Sequence, residues 1–372
     1  IVSIIAVIEG ETFNRSKISD SIETITELAE VNGYSFIDIN TSFDQDFDNK
    51  KINVIINIDE GPRVYVNSIN IFGNTRTIDK VIRREIKLSE GDAYNKYTLS
   101  VSKDRIRALN FFTNAEITEE KSIFPDKINL MVEVEEKNTG EASIGAGYSS
   151  ATDASITFGL KENNFLGKGQ KVDFSASLSD TRTTYDISFT EPYFNNKSLS
   201  LTTDLYSSFS DPSSVNYETE DLGLGFAVGF PLSTDRSILA KYSLYTSTIK
   251  ADSNATAYER LLAGTDTVSL IGYRFNLDRR NSFYKPSAGY NMIINQDIAG
   301  LGGTSYYIKN NFELNSYKRL SDRFVGAFKA EAGAVNGYND KYAPLSSNFK
   351  LGGKSLRGFK SGKIGKYHFW SN

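Results

Sequence analysis

A chain of 372 residues has room for two or three domains and a buried core. With 24% charged and 39% hydrophobic residues and a net charge of −4, it is neither a disordered tail nor a helical membrane protein. It also lacks the dense basic face that displaces phosphate counterions, so no nucleic-acid partner is expected. With no cysteine and a single histidine, His368, disulfides and thiolate metal sites are excluded and imidazole chemistry has little to work with, so neither metal nor cofactor is expected.

The apolar opening run Ile4–Ile8 falls far short of the ~20 residues a spanning helix needs, so entry into a membrane would require a barrel. Ile1 begins without a basic region or cleavage pattern, and the chain reads as a fragment whose start lies upstream. Ile18, Ile22, Ile25, Leu28 and Ala29 recur at helical spacing between Asn14, a candidate cap, and Gly33, a candidate stop. Phe36-Ile37-Asp38-Ile39 and Lys51–Ile58 then read as two strands, joined by the acidic segment Asp44–Lys50.

The same order returns about 78 residues later. Leu99–Asn110 carries a helical stripe, Ala115-Glu116-Ile117-Thr118 is short and extended, and Lys127–Glu135 matches Lys51–Asp59 almost position for position. This second copy is complete, opening with a strand, Val64–Phe72, and a first helix, Ile78–Ile86. A strand, two helices and two strands predict a three-stranded sheet with helices on one face. The pattern Ile71-Phe72-Gly73-Asn74, then Arg83-Arg84-Glu85, then Asn110-Phe111-Phe112, resembles a POTRA domain, the periplasmic module of the BamA family. The resemblance implies POTRA domains at 1–61, cut short at its start, and at 62–137.

From Gly140 the composition shifts to Ser, Thr, Gly, Tyr and Phe, and an alternation of two replaces the helical stripe. Val172, Phe174, Ala176 and Leu178 alternate with Asp173, Ser175, Ser177 and Ser179; Leu222–Phe230, Ile238–Leu244 and Phe324–Ala330 behave alike. About eleven strands are predicted from Ser143 to Ala334. In a soluble sandwich the apolar faces would meet each other, whereas in a membrane barrel they face lipid. Strand length, aromatic residues near strand ends (Tyr193-Phe194, Phe283-Tyr284, Tyr306-Tyr307) and the lack of helical crossovers favour the barrel.

The punctuation is also similar to the BamA family. Ser143-Ile144-Gly145-Ala146-Gly147-Tyr148 resembles its first barrel strand. Asn163–Gly169, Thr190-Glu191-Pro192-Tyr193-Phe194, Gly229-Phe230-Pro231-Leu232 and Leu277–Pro286 resemble successive turns. Gly352, Gly353, Arg357, Gly358 and Phe359 resemble its glycine-rich loop, in which an arginine tip folds back into the lumen. The fold class is thus α+β POTRA repeats followed by an antiparallel transmembrane β-barrel over 138–372, incomplete, with about eleven of sixteen strands.

No nucleophile, base and orienter stand at recognisable spacing, so no enzyme activity is expected. The resemblance implies an outer-membrane protein assembly factor of a Gram-negative bacterium. Its partners would be unfolded outer-membrane proteins, accessory outer-membrane lipoproteins and the lipid bilayer, with the POTRA domains in the periplasm. Edge strands at Phe36–Ile39 and Ala115–Thr118 would receive an extended client without reading its sequence. The glycine-containing strand Ser143–Tyr148 would form a lateral seam, and Arg357 would hold its loop inside the barrel. The alternative is a POTRA-containing polypeptide secretion transporter of the two-partner type.

Overall fold

The computed structural model describes residues 10–32, 34, 37–46, 49–61, 63–149, 153–211, 215–233, 235–261, 263–321, 323–340, 343–344, 347–349 and 359. It divides into two compact units, one of residues 1–139 with 166–168, the other of 140–165 with 169–372.

In the first unit, helix α1 (Arg15–Val31) buries Ile18, Ser21 and Ile25, the spacing that puts one stripe of a helix against a sheet. Strands β1 (Ile37–Asp46) and β2 (Lys51–Glu60) form an antiparallel hairpin in which Ile37 faces Glu60 and Asp46 faces Lys51. Asp44, Gln45 and Asp46, expected in the connection Asp44–Lys50, belong to β1 because each has a ladder partner on β2.

The second copy runs β3 (Tyr65–Phe72), α2 (Asp79–Arg83), α3 (Lys96–Ala108), β4 (Phe112–Lys121) and β5 (Lys127–Glu136). Its sheet order is β3-β5-β4, with β5 parallel to β3 and antiparallel to β4. Asn95 caps α3 by accepting the Thr98 amide on Oδ1 at 2.9 Å, and Leu99, Ser102 and Ile106 line its buried stripe. Central strand β5 supplies Leu130 and Val132, both wholly buried, to a core completed by Val66, Ile69, Val81 and Ile82. β4 is longer than predicted because Asn114 to Lys121 all find partners on β5.

Among the described residues the second unit is one antiparallel meander of eleven strands in sequence order, in line with the roughly eleven predicted. They are β6 (Gly140–Ser149), β7 (Asp153–Phe165), β8 (Gln170–Ser179), β9 (Arg182–Glu191), β10 (Ser200–Ser210) and β11 (Tyr217–Ser233). The series continues with β12 (Arg236–Ala251), β13 (Gly264–Asp278), β14 (Gly289–Ala299), β15 (Tyr307–Arg319) and β16 (Val325–Gly337). A helical turn, α4 (Ala257–Leu261), interrupts the β12–β13 connection; it was missed from sequence although Thr256 and Glu259 form a capping box, the Glu259 amide donating to Thr256 Oγ1 at 3.2 Å and the Thr256 amide to Glu259 Oε2 at 2.8 Å.

Two of the family-like turns are shifted. Pro231 lies inside the end of β11, at a register shift before Ser233, where a missing amide costs no regular ladder bond. β7 runs on to Phe165 through a register shift after Glu162, which narrows the turn expected at Asn163–Gly169.

The registers give the sheet two chemically distinct faces. Ile144, Phe158, Phe174, Ile187, Leu205, Leu224, Leu244, Ile271, Ile298, Ile308 and Ala334 share one side. No second sheet covers it among the described residues: Ile144 is 75% exposed, Leu222 65% and Phe328 61%. An uncovered apolar band on eleven strands far exceeds what a water-soluble monomer shows, and fits burial in hydrocarbon. The polar face is concave. Tyr245 on β12 and Tyr307 on β15 bring their hydroxyls to 3.2 Å, although three strand spacings of a flat sheet separate them by about 14 Å.

Candidate functional site

Among the described residues β4 pairs with β5 alone, so Ala115, Glu116, Ile117 and Thr118 lie on a sheet edge. That edge is partly occupied. Arg107, from the last turn of α3, donates from Nε to the Ala115 carbonyl at 3.1 Å and from Nη2 to Glu116 Oε1 at 2.5 Å. Lys103, one helical turn earlier, holds Glu116 Oε2. The hydrogen bond from Lys103, reinforced by both cations, keeps the exposed Glu116 carboxyl below its ordinary range. These cations were missed from sequence, though their i, i+4 spacing on a helix adjoining the edge was a usable signal. Ala115 is buried and Ile117 packs on the core, while Thr118 is exposed. In the first copy, Ile37 to Ile39 pair with Ile58 to Glu60; Phe36 lies outside the described residues.

Next to this edge, Glu136 at the end of β5 anchors the turn that follows β3. Its carboxylate accepts the amides of Thr77 at 2.6 Å and Arg76 at 2.9 Å and the Thr75 hydroxyl at 2.7 Å. Burial alone would raise this carboxyl; the hydrogen bonds from Thr77, Thr75 and the Arg76 amide outweigh it and bring it down to about 2.

β6 is the terminal strand of the meander and pairs only with β7 among the described residues. Ile144 and Tyr148 project from its apolar face, at 75% and 80% exposure. Its other face carries Ser143, Gly145 and Gly147, opposite Gly159, Thr157 and Ser155. Only long contacts of 3.4 Å run there, from the Thr157 and Ser155 hydroxyls to the carbonyls of Gly145 and Gly147. From Ser143 to Gly147 this face of β6 carries only small side chains.

Far along the concave face a denser arrangement appears that sequence reasoning missed. Lys241 Nζ lies 2.7 Å from Asp297 Oδ1, an ion pair rather than an aligned hydrogen bond, and Tyr206, Tyr245 and Tyr307 cluster beside it. The segment following β16 lies against these groups. Ala343 joins a cluster with Val268, Leu270, Ala299 and Tyr307, and Ser347 is buried beside Tyr245. Phe349 seats its ring on Gly333, with Lys309 Nζ 4.9 Å above it. This strap leads directly into the glycine-rich loop. Gly352, Gly353, Arg357 and Gly358 lie outside the described residues; Phe359 is described and is 54% exposed.

The apolar band, concave polar face and two POTRA-like copies agree with comparisons to known proteins. The Omp85 superfamily domain model matches residues 164–369, and the POTRA model, a surface antigen variable number repeat, matches 1–61 and 64–137. Outer membrane protein assembly factor BamA of Neisseria meningitidis serogroup B is 27% identical over 96% of this chain and 47% of its own length. The protein of the same name from Nitratidesulfovibrio vulgaris is 29% identical over 89% of this chain and 42% of its own length. The chain thus spans about half the length of these curated relatives. The crystal structure of BamA from Haemophilus ducreyi lacking POTRA domains 1–3 superimposes with a TM-score of 0.81 at 23% identity, over 96% of this chain and 71% of that one, which shows a shared fold. Relatives named BamA align with nearly all of the residues, and since the Omp85 match alone spans more than half of them, the chain belongs to the Omp85 superfamily.

Proposed function

We propose that this chain is the POTRA-and-barrel part of an outer-membrane protein assembly factor, with POTRA domains at 1–61 and 62–137 and barrel strands within 138–372. It works without enzymatic chemistry in the outer membrane of a Gram-negative bacterium, its POTRA domains in the periplasm. Unfolded barrel proteins are received on the edges β1 and β4 and passed to β6, where an incoming strand pairs with exposed backbone. Burial of the client's apolar face in the bilayer then drives its release. Accessory outer-membrane lipoproteins assist, and Arg357 holds its loop within the barrel.

The observation that supports this reading is the terminal strand β6, whose Ile144 and Tyr148 are exposed on one face while Ser143, Gly145 and Gly147 on the other are small. The secretion-transporter alternative has less support, because the relatives that span nearly the whole chain carry the assembly-factor name. A photo-crosslinking amino acid at Ala146 in the full-length protein is expected to capture unfolded outer-membrane proteins during insertion. Normal insertion when β6 is locked by a disulfide to the strand that closes the barrel would sink the proposal.

A further inference from the structure

We propose that the turns joining β13 to β14 and β15 to β16 form a collar that binds anionic phospholipid headgroups, an inference that rests on the apolar face lying in a bilayer. Both turns lie at the end of the sheet where β6 begins. They are neighbours, because Gly289 of β14 faces Tyr317 of β15 and Arg319 Nη2 donates to Ser287 Oγ at 3.3 Å. The first presents Phe283 at 71% exposure and Tyr284 at 90%, their rings edge to face with centroids 5.3 Å apart. The second presents Leu320 and Phe324, at 67% and 70%.

The charge around these rings is unbalanced. Asp278 is taken by Arg280 at 2.5 Å and Asp235 by Arg279 at 2.8 Å. Lys285, Lys318, Arg319 and Arg323 are exposed and make no ion pair among the described residues; Asp322, next to Arg323 in sequence, lies outside them. Lys318 keeps the outward parity of Phe312 and Leu314, so its stem runs along the apolar band and its ammonium emerges at the rim. Arg280 stacks on Phe283 at 5.1 Å, which fixes the ring beside the cations.

At the other end of the same sheet the balance is reversed, with Asp180, Asp211, Glu218, Glu220, Asp252, Asp266 and Asp340 set against Arg182, Arg260 and Lys250, the last already paired to Glu220 at 2.6 Å. Basic character is therefore a property of this rim and not of strand ends in general. Exposed rings amid free cations suit a ligand with an anionic head and an apolar tail; a free phosphate ion would gain nothing from the rings.

The test uses the full-length protein with Trp370 and any further tryptophan replaced by phenylalanine and a reporter introduced by Tyr284→Trp. It is reconstituted in phosphatidylcholine vesicles doped with dibrominated phosphatidylglycerol or dibrominated phosphatidylcholine. Bromines on phosphatidylglycerol are expected to quench the reporter about fivefold more effectively per mole. Combining Lys285→Gln, Lys318→Gln, Arg319→Gln and Arg323→Gln should bring the two lipids to parity, and inorganic phosphate at constant ionic strength should leave the native preference intact. Equal quenching with native charges overturns the collar alone. Loss of preference to inorganic phosphate reassigns the site to the free ion and also overturns it. No quenching by either lipid overturns the bilayer reading on which the collar rests.

Discussion

Lys241 and Asp297 stand on strands that do not pair, and their 2.7 Å contact passes directly over Gly272 of the intervening β13. A β-carbon at Gly272 would lie 2.2 Å from Asp297 Oδ1, 2.9 Å from Lys241 Cε and 2.7 Å from the Gln296 carbonyl. The first two atoms can swing away, but the third is backbone. Gly272→Val is therefore expected to break the pair and lower the thermal midpoint of the folded barrel, read as the temperature at which its compact form is lost on a gel. Both side chains are partly exposed, so the cost is about 1–2 kcal/mol rather than that of a fully buried pair. An unchanged midpoint would mean that the pair contributes nothing.

The seat of Phe349 gives a second test. The ring fills the space over Gly333, where an added β-carbon would come within 2.3 Å of its Cζ. Gly333→Leu should evict the ring and loosen the strap. Because the chain has no cysteine, Ser347→Cys introduces a single reporter at a buried position. Its labelling by a membrane-impermeant maleimide should rise several-fold in the Gly333→Leu background. Equal labelling in the two backgrounds would show that the strap is held without Phe349.

Arg107 shields the edge it adjoins. Removing its fork with Arg107→Met frees the Ala115 carbonyl and weakens the hold on Glu116, so crosslinking of an extended client peptide to a probe at Thr118 should increase. Proline at Ile117 in the same background should reverse the gain by distorting the edge. A decrease with Arg107→Met would instead make the guanidinium a direct contact for the client.

Glu136 makes the stability of the second POTRA domain depend on pH. Its carboxyl titrates lower in the folded domain, near 2, than in an unfolded chain, where 4.5 is the ordinary value. The stabilisation is therefore complete above about pH 4.5 and fades as the pH falls toward 2, with a ceiling of about 3 kcal/mol. Glu136→Gln should lower the urea midpoint at pH 7 and narrow its difference from wild type below pH 3. A constant difference at all pH values would remove the carboxylate from the account.

Much of the architecture was legible because period carries it. The switch at Gly140 from a helical stripe to strict alternation announced about eleven strands, and eleven are present among the described residues. The duplication of Lys51–Asp59 at Lys127–Glu135 likewise fell on matching strands, β2 and β5. Boundaries were less legible: Asp44 to Asp46 look like a turn by residue type and became strand only because β2 offers them partners. The concave-face groups were illegible for a related reason. Lys241, Asp297, Lys309 and Phe349 are far apart in sequence and meet only through register and curvature, so each alone reads as one solvated charge or one stray ring.

The sheet order β3-β5-β4 puts the last strand of its domain in the middle. Until residues up to Glu136 have emerged, β3 and β4 have nothing between them, and neither can hold the other in place. A chain that folds as its residues emerge from the N-terminal side thus stays pliable through some seventy residues of this module and locks only when the final segment slides in between the two earlier strands.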